Sequence, residues 1–178
     1  MKSLFHTGIK GMKWGVRNGP PYPIEPDYKS PNQLSLAMKK FKYKNFDRLM
    51  SPQEVAKTKQ GSCHDQVMYE CQQLKRMGFN PKCLFFMELN GKQGGMTHSL
   101  VFYKDKGKIV WFENAWSDMA GINVYNSIDE IKKQIISMHS KNKIGNNKDF
   151  PNLIFNEFDY KKHKEGETLG EFVDLCLD

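Results

Sequence analysis

Cys63 stands in Q-G-S-C-H-D-Q-V-M-Y-E-C (60–71), directly after Gly-Ser and where a helix is about to begin. A free cysteine with a pKa near 8.5 is only about 3% thiolate at neutral pH. The positive end of a helix dipole and a neighbouring imidazolium both raise that fraction. Position in the first turn supplies the dipole. His64 is adjacent, but neighbouring helix residues point about 100° apart and do not face each other. His98, in T-H-S-L-V-F-Y where a strand leaves a glycine-rich loop, is the better partner. An imidazole acting as base needs a third group to hold its tautomer, and the next run, K-I-V-W-F-E-N-A-W, offers Glu113 and Asn114. A two-residue loop at Asp105-Lys106 sets His98 opposite Glu113. A three-residue loop with Gly107 in the left-handed position sets it opposite Asn114, and that turn chemistry is the better fit. Gln66, one turn after Cys63, is placed to aim its amide at the same site.

The elements that must position these residues are legible as start and stop signals. Ser62 reads as an N-cap with Asp65 three residues on, and Gly78 as the C-terminal stop. Val67, Cys71 and Leu74 then follow i, i+4, i+7, and four back from Val67 lands on Cys63, on the core-facing stripe. Ser51-Pro52-Gln53-Glu54 is a capping box with proline at the first helical position, opening a short helix that ends by Gln60-Gly61. Leu34, Met38 and Phe41 mark a short helix from Gln33. Runs at Cys83–Leu89, Thr97–Lys104 and Lys108–Asn114, separated by N-G-K-Q-G-G and D-K-G, read as an antiparallel meander. Ser127 with Glu130 opens a helix with Ile128, Ile131, Ile135 and Met138 inward. Lys141–Asp149 reads as a polar loop, Asn152–Phe158 as a further strand and Leu169–Cys176 as a closing helix. Helices followed by an antiparallel sheet make an α+β fold.

Taken in order, G-S-C-H-D-Q at a helix start, T-H-S-L-V at a strand start and W-F-E-N on the next strand resemble the transglutaminase-like cysteine-enzyme core. That superfamily shares its Cys-His-acid layout with papain-type proteases. The resemblance covers roughly residues 50–140. Its usual spacing places the acid fifteen residues after the histidine, at Glu113, while Asn114 remains the alternative. Two features depart from the pattern: His64 follows the nucleophile where tryptophan is frequent, and glutamate replaces aspartate. The resemblance implies acyl transfer through a Cys63 thioester, with His98 as base then acid and Glu113 orienting it. It implies a peptide or protein substrate and no cofactor. Hydrolysis of a peptide or amide bond is favoured over cross-linking, because no lysine-acceptor site can be read. The rival reading is a protein that uses the fold for binding, with the cysteine incidental.

The remaining residues have plainer readings. Cys71, Cys83 and Cys176 fit apolar stripes and read as core, and His64, His139 and His163 as surface. Trp111 and Trp116 flank the acid, as cleft walls or as core. Four cysteines among 178 residues, with no CxxC pair, fit neither a zinc site nor a secreted disulfide framework. Residues 1–50 carry ten Lys/Arg against three acids, and residues 51–178 carry seventeen of each, so the net charge of +7 lies wholly in the N-terminal part. That excess fits a solvated arm or an acidic partner, and no nucleic-acid motif accompanies it. No apolar run approaches the roughly 20 residues that span a bilayer, and the first residues lack a signal peptide's apolar stretch. The expectation is a cytoplasmic protein with no membrane partner.

Residues 1–32, rich in glycine and proline, read as an extended arm ahead of a domain at 33–178. Within it, H-T-G-I-K-G-M-K-W-G-V-R-N-G-P-P-Y-P resembles a short tag at the ends of bacteriophage structural and head-associated proteins. The resemblance implies a phage or prophage origin, the cytoplasm of a bacterial host and virion association, and it makes the rival binding reading a phage structural or host-interaction protein. Trp14 would anchor on a phage structural partner, with Lys10, Lys13 and Arg17 supplying charge.

Overall fold

The computed structural model describes residues 27–88, 96–142, 153–162, 164 and 166–177. Most of the arm, including Trp14 and its basic residues, lies outside them, as do His163 and most of the expected 141–149 loop. Among the described residues the architecture is α+β, with five α-helices and a five-stranded antiparallel sheet.

The first helix, α1 (Pro31–Met38), starts two residues before Gln33. Ser30 accepts a hydrogen bond from the Gln33 N–H, and Pro31 occupies the first turn, where its missing N–H is harmless. The proline taken for the end of the arm is therefore a helix start. Leu34 and Met38 are fully buried, and Tyr28 packs against the same cluster. Truncation at residue 32 should thus destabilise the protein relative to truncation at residue 26. Loss of the cap costs about 1 kcal/mol, and Tyr28 adds to it, so melting curves of the two deletions should differ by several degrees. Equal midpoints would show that residues 27–32 carry no stability.

A two-residue strand, β1 (Lys42–Tyr43), pairs in parallel with β2 (Gln60–Gly61), setting Tyr43 beside Gly61. Between them lies α2 (Pro52–Thr58), opened by the Ser51/Glu54 capping box and closed by Lys59 in the left-handed conformation. Next comes α3 (Cys63–Arg76), whose own capping box pairs Ser62 with Asp65.

The meander follows as β3 (Lys82–Glu88), β4 (Thr97–Asp105) and β5 (Lys108–Glu113). A further strand, β6 (Gly121–Tyr125), was not legible beforehand; it pairs with β5 at the edge. Helix α4 (Ile128–Asn142) precedes β7 (Leu153–Phe158), which adds to β3, and α5 (Leu169–Leu177) closes the chain. The strand order is β6-β5-β4-β3-β7.

Strand alternation sorts the two faces of the sheet. Cys83, Val101, Tyr103, Val110 and Phe112 pack against Val67, Cys71 and Leu74 of α3. Phe85, on the same face, packs with Phe172 and Cys176 of α5. On the other face, Leu84, Phe86, Leu100, Phe102 and Trp111 pack against Ile131 and Ile135 of α4. Cys71, Cys83 and Cys176 are all fully buried in this core.

Candidate active site

Three local devices place Cys63 at the first position of α3. Asp65 accepts from the Ser62 N–H and hydroxyl, both at 2.8 Å, and from the Met50 N–H at 2.8 Å. Gly61 passes so close that an added Cβ would lie 2.8 Å from the Asp65 Cβ, so a side chain there would displace the cap. Gln66 donates to the Gly61 carbonyl at 2.9 Å and accepts from the Asn114 amide at 2.7 Å. Both ends of the Gln66 amide are thus engaged in bracing α3 against the end of β5. This corrects the expectation that Gln66 aims its amide at the thiol.

The β4–β5 register differs from both expected turns. Asp105 pairs with Lys108, so the loop is the two residues Lys106-Gly107. Both adopt positive φ, 46° and 77°, as in a type I′ turn. In that register Leu100 faces Glu113 and His98 faces position 115. His98 and Glu113 therefore share a face as diagonal neighbours, close enough for long side chains to meet. His98 Nε2 lies 2.9 Å from Glu113 Oε2. Asn114 points to the opposite face, toward Gln66, and does not orient His98. The turn-based preference for Asn114 is overturned by the left-handed Lys106.

Glu113 is buried and fully engaged. Its Oε2 also accepts from the Trp111 indole N–H at 3.1 Å, and Oε1 accepts from the N–H groups of Asn114 and Trp116 at 3.0 and 2.9 Å. Its position is therefore over-determined. With Nε2 committed to Glu113, Nδ1 is the His98 nitrogen left for Cys63, with which His98 shares a hydrogen bond.

The thiol and the imidazole arrive from opposite layers, Cys63 from α3 and His98 from the α4 face, and meet where β4 begins. Burial pushes the Cys63 thiol up. The charges of His64 and His98 and hydrogen bonds to both outweigh burial and hold it well below the usual thiol range. Burial lowers His98, but the Glu113 carboxylate and the Cys63 thiol raise it to about 10. Both shifts favour the thiolate–imidazolium pair over the neutral thiol and imidazole. Cys63 alkylation should therefore be nearly flat between pH 6.5 and 9, whereas an ordinary thiol gains about tenfold per unit below its pKa. A stopped-flow pH profile that climbs through pH 8.5 would show that no ion pair forms.

Three residues at the site were not read as functional. His64 is not on the surface but buried; its Nδ1 is 2.9 Å from Ser99 Oγ, and its ring lies 4.5 Å from that of Phe172. Packing of α5 beside α3 covers it, a tertiary effect with no local signal. Tyr43, placed by the β1–β2 ladder, brings its phenol to both the thiol and the backbone N–H of Cys63. Burial first, then the Cys63 charge, push its hydroxyl up to about 12. Glu70, one turn beyond Gln66, is buried, and its carboxyl is pushed well above the usual range by burial and then by the charge of Glu113.

His139, expected on the surface, is likewise buried, its ring 5.4 Å from that of Phe86 and 5.8 Å from that of Trp116. Trp111 is core, and Trp116 lines a cavity beside His98. A larger cavity of about 650 Å³, lined by Phe102, Lys104, Ile109 and Ile128 among others, holds no thiol or imidazole. Among the described residues no cluster of His, Cys, Asp and Glu is placed to hold a metal ion, and no helix is long and apolar enough to cross a membrane.

No family model matches the chain, and no curated protein matches it.

Proposed function

We propose that the chain is a cysteine acyl-transfer enzyme with a transglutaminase-like, papain-like core, hydrolysing a peptide or amide bond in a phage or prophage setting. One observation carries this reading: an imidazole held between a first-turn cysteine and a buried, four-fold hydrogen-bonded carboxylate. A structural histidine needs no such arrangement, whereas a nucleophile and its base do.

The Cys63 thiolate attacks the substrate carbonyl. The developing oxyanion has two donors at hand, the Cys63 N–H and the Tyr43 hydroxyl. His98 gives its proton to the leaving amine, the C–N bond breaks and a thioester remains. Neutral His98 then takes a proton from water, whose hydroxide attacks the thioester. The acid departs, and the thiolate and imidazolium are restored. Glu113 keeps Nε2 engaged throughout and stabilises each imidazolium.

The phage setting rests on the resemblance of the arm to a phage tag, and the proposed partner of Trp14 and its basic neighbours is a phage structural protein. A binding protein with a silent cysteine is the second reading, favoured by the 2% exposure of Cys63.

Incubation with p-nitrophenyl acetate separates the two. The enzyme should show a stoichiometric burst of nitrophenolate and a 42 Da adduct on Cys63, about the mass of an acetyl group replacing a thiol hydrogen, and Cys63→Ser should show neither. Absence of an adduct on Cys63 would remove the enzymatic reading.

A further inference from the structure

Two cavities meet at the reacting pair, and Tyr43 and Thr97 line both. The smaller, about 140 Å³, lies over Cys63 and is edged by polar groups that include Asn45, Arg48 and Ser62. The other, about 300 Å³, runs from His98 along the α4 face between Phe86, Met96, Ala115, Trp116 and His139. An apolar cavity of about 150 Å³ holds a benzene molecule, so the larger chamber has room for an aromatic or long aliphatic side chain. Its walls are already set as an aromatic box. Trp116 stands edge-on to His98 at 5.6 Å, and Phe86 lies 6.1 Å from Trp116. A further ring entering there meets faces and edges at the spacings aromatic pairs favour.

Among the described residues, no carboxylate or ammonium group lines the chamber, and its one catalytic cation, His98, is flanked by Glu113 and Cys63. A charged substrate side chain would lose hydration without gaining a partner. The mouth points the same way. Tyr43, Met96 and Leu169 are 55%, 52% and 47% exposed, and each lines one cavity or the other. Large apolar side chains grouped around a cleft mark a contact surface.

The side of the chamber decides what it holds. It lies beyond His98 from the thiol, and His98 hands its proton to the leaving amine. Resting on the acyl-transfer reading of Cys63, we propose that the chamber is the leaving-group subsite: the enzyme cleaves peptides on the N-terminal side of a large apolar or aromatic residue, whose side chain fills it. By microscopic reversibility the same chamber selects the amine that attacks the thioester. In that step the amine nitrogen bonds the carbonyl, its proton passes to neutral His98, the C–S bond breaks and thiolate leaves.

Partitioning of the acetyl-enzyme tests this without knowledge of the natural substrate. The full-length protein is acetylated with p-nitrophenyl acetate and offered phenylalaninamide, glycinamide or aspartamide, and the N-acetyl amides are quantified against acetate. Phenylalaninamide should capture the acetyl group about tenfold or more better than glycinamide, given what burial of an aromatic side chain contributes, and aspartamide should capture least. Trp116→Ala, and Met96→Asp at the exposed rim where folding is not at stake, should each lower the phenylalaninamide-to-glycinamide ratio at least threefold. Capture of phenylalaninamide and glycinamide within twofold, preference for aspartamide, or hydrolysis with no capture would overturn the subsite while leaving the acyl-transfer reading intact. Failure of Cys63 to acetylate at all would remove both.

Discussion

His98→Ala should lower the rate of Cys63 alkylation at pH 6.5 by at least tenfold, toward the roughly hundredfold that separates a full thiolate from a thiol of pKa 8.5 at that pH. The reason is the sign of the opposing effects on Cys63. Burial pushes the thiol up, and only the imidazole partners bring it down. Removing His98 also strands the Glu113 carboxylate beside an apolar void, so the variant's melting curve must accompany the rate. Turnover should fall further than alkylation, because His98 transfers a proton twice in each cycle and general acid–base catalysis is worth about 10²–10⁴-fold. His64→Gln should also slow alkylation, since the His64 charge is the first of those that hold the thiol down, but it should cost less turnover, since the His64 Nδ1 answers to the Ser99 hydroxyl and not to a carboxylate. A greater loss of turnover with His64→Gln would transfer the base to the residue next to the nucleophile.

Glu113→Gln should reduce acyl transfer by tenfold or more, on the order of 1.4 kcal/mol of transition-state stabilisation. The amide keeps the shape but cannot stabilise an imidazolium, and its NH₂ would face the Trp111 indole N–H or the backbone N–H groups that now donate to Glu113. Asn114→Ala should behave differently. It removes one donor to Gln66, which should lower stability by about 1 kcal/mol and leave the rate at saturating substrate within about threefold. Single-turnover acetylation with p-nitrophenyl acetate, read beside thermal melts, distinguishes the two. If Asn114→Ala lost turnover while Glu113→Gln kept it, the orienting group would be the amide, as in papain-type sites.

What could be read in advance and what could not divide along local and non-local lines. The Ser51/Glu54 and Ser62/Asp65 capping boxes are local chemistry, and both form as read. So do the first three strands of the sheet. At Ser127 the cap forms, but the Glu130 carboxylate reaches past it to Asn126. The β4–β5 register failed on one residue: Lys106 takes a left-handed φ of 46°, a position where asparagine or glycine is the usual signal. The strand β6 escaped notice because it is a half-buried edge, where apolar alternation is weak. Tyr43 could not have been found locally, since a two-residue parallel ladder eighteen residues apart in sequence delivers it to Cys63. The burial of His64 and His139 follows from α5 and from the aromatic box, neither of which their neighbours in sequence announce.

The most direct test of the account is competitive alkylation of the four cysteines in the native protein at pH 6.5, with a limiting amount of iodoacetamide and site-resolved mass spectrometry. All four are buried free thiols, so exposure alone gives none of them an advantage. Burial pushes the thiols of Cys71 and Cys176 up, while Cys63 is held down by its imidazole partners. Cys63 should be modified at least tenfold faster than Cys71, Cys83 or Cys176, and denaturation should abolish the difference. Equal rates for the four thiols in the folded protein would contradict it.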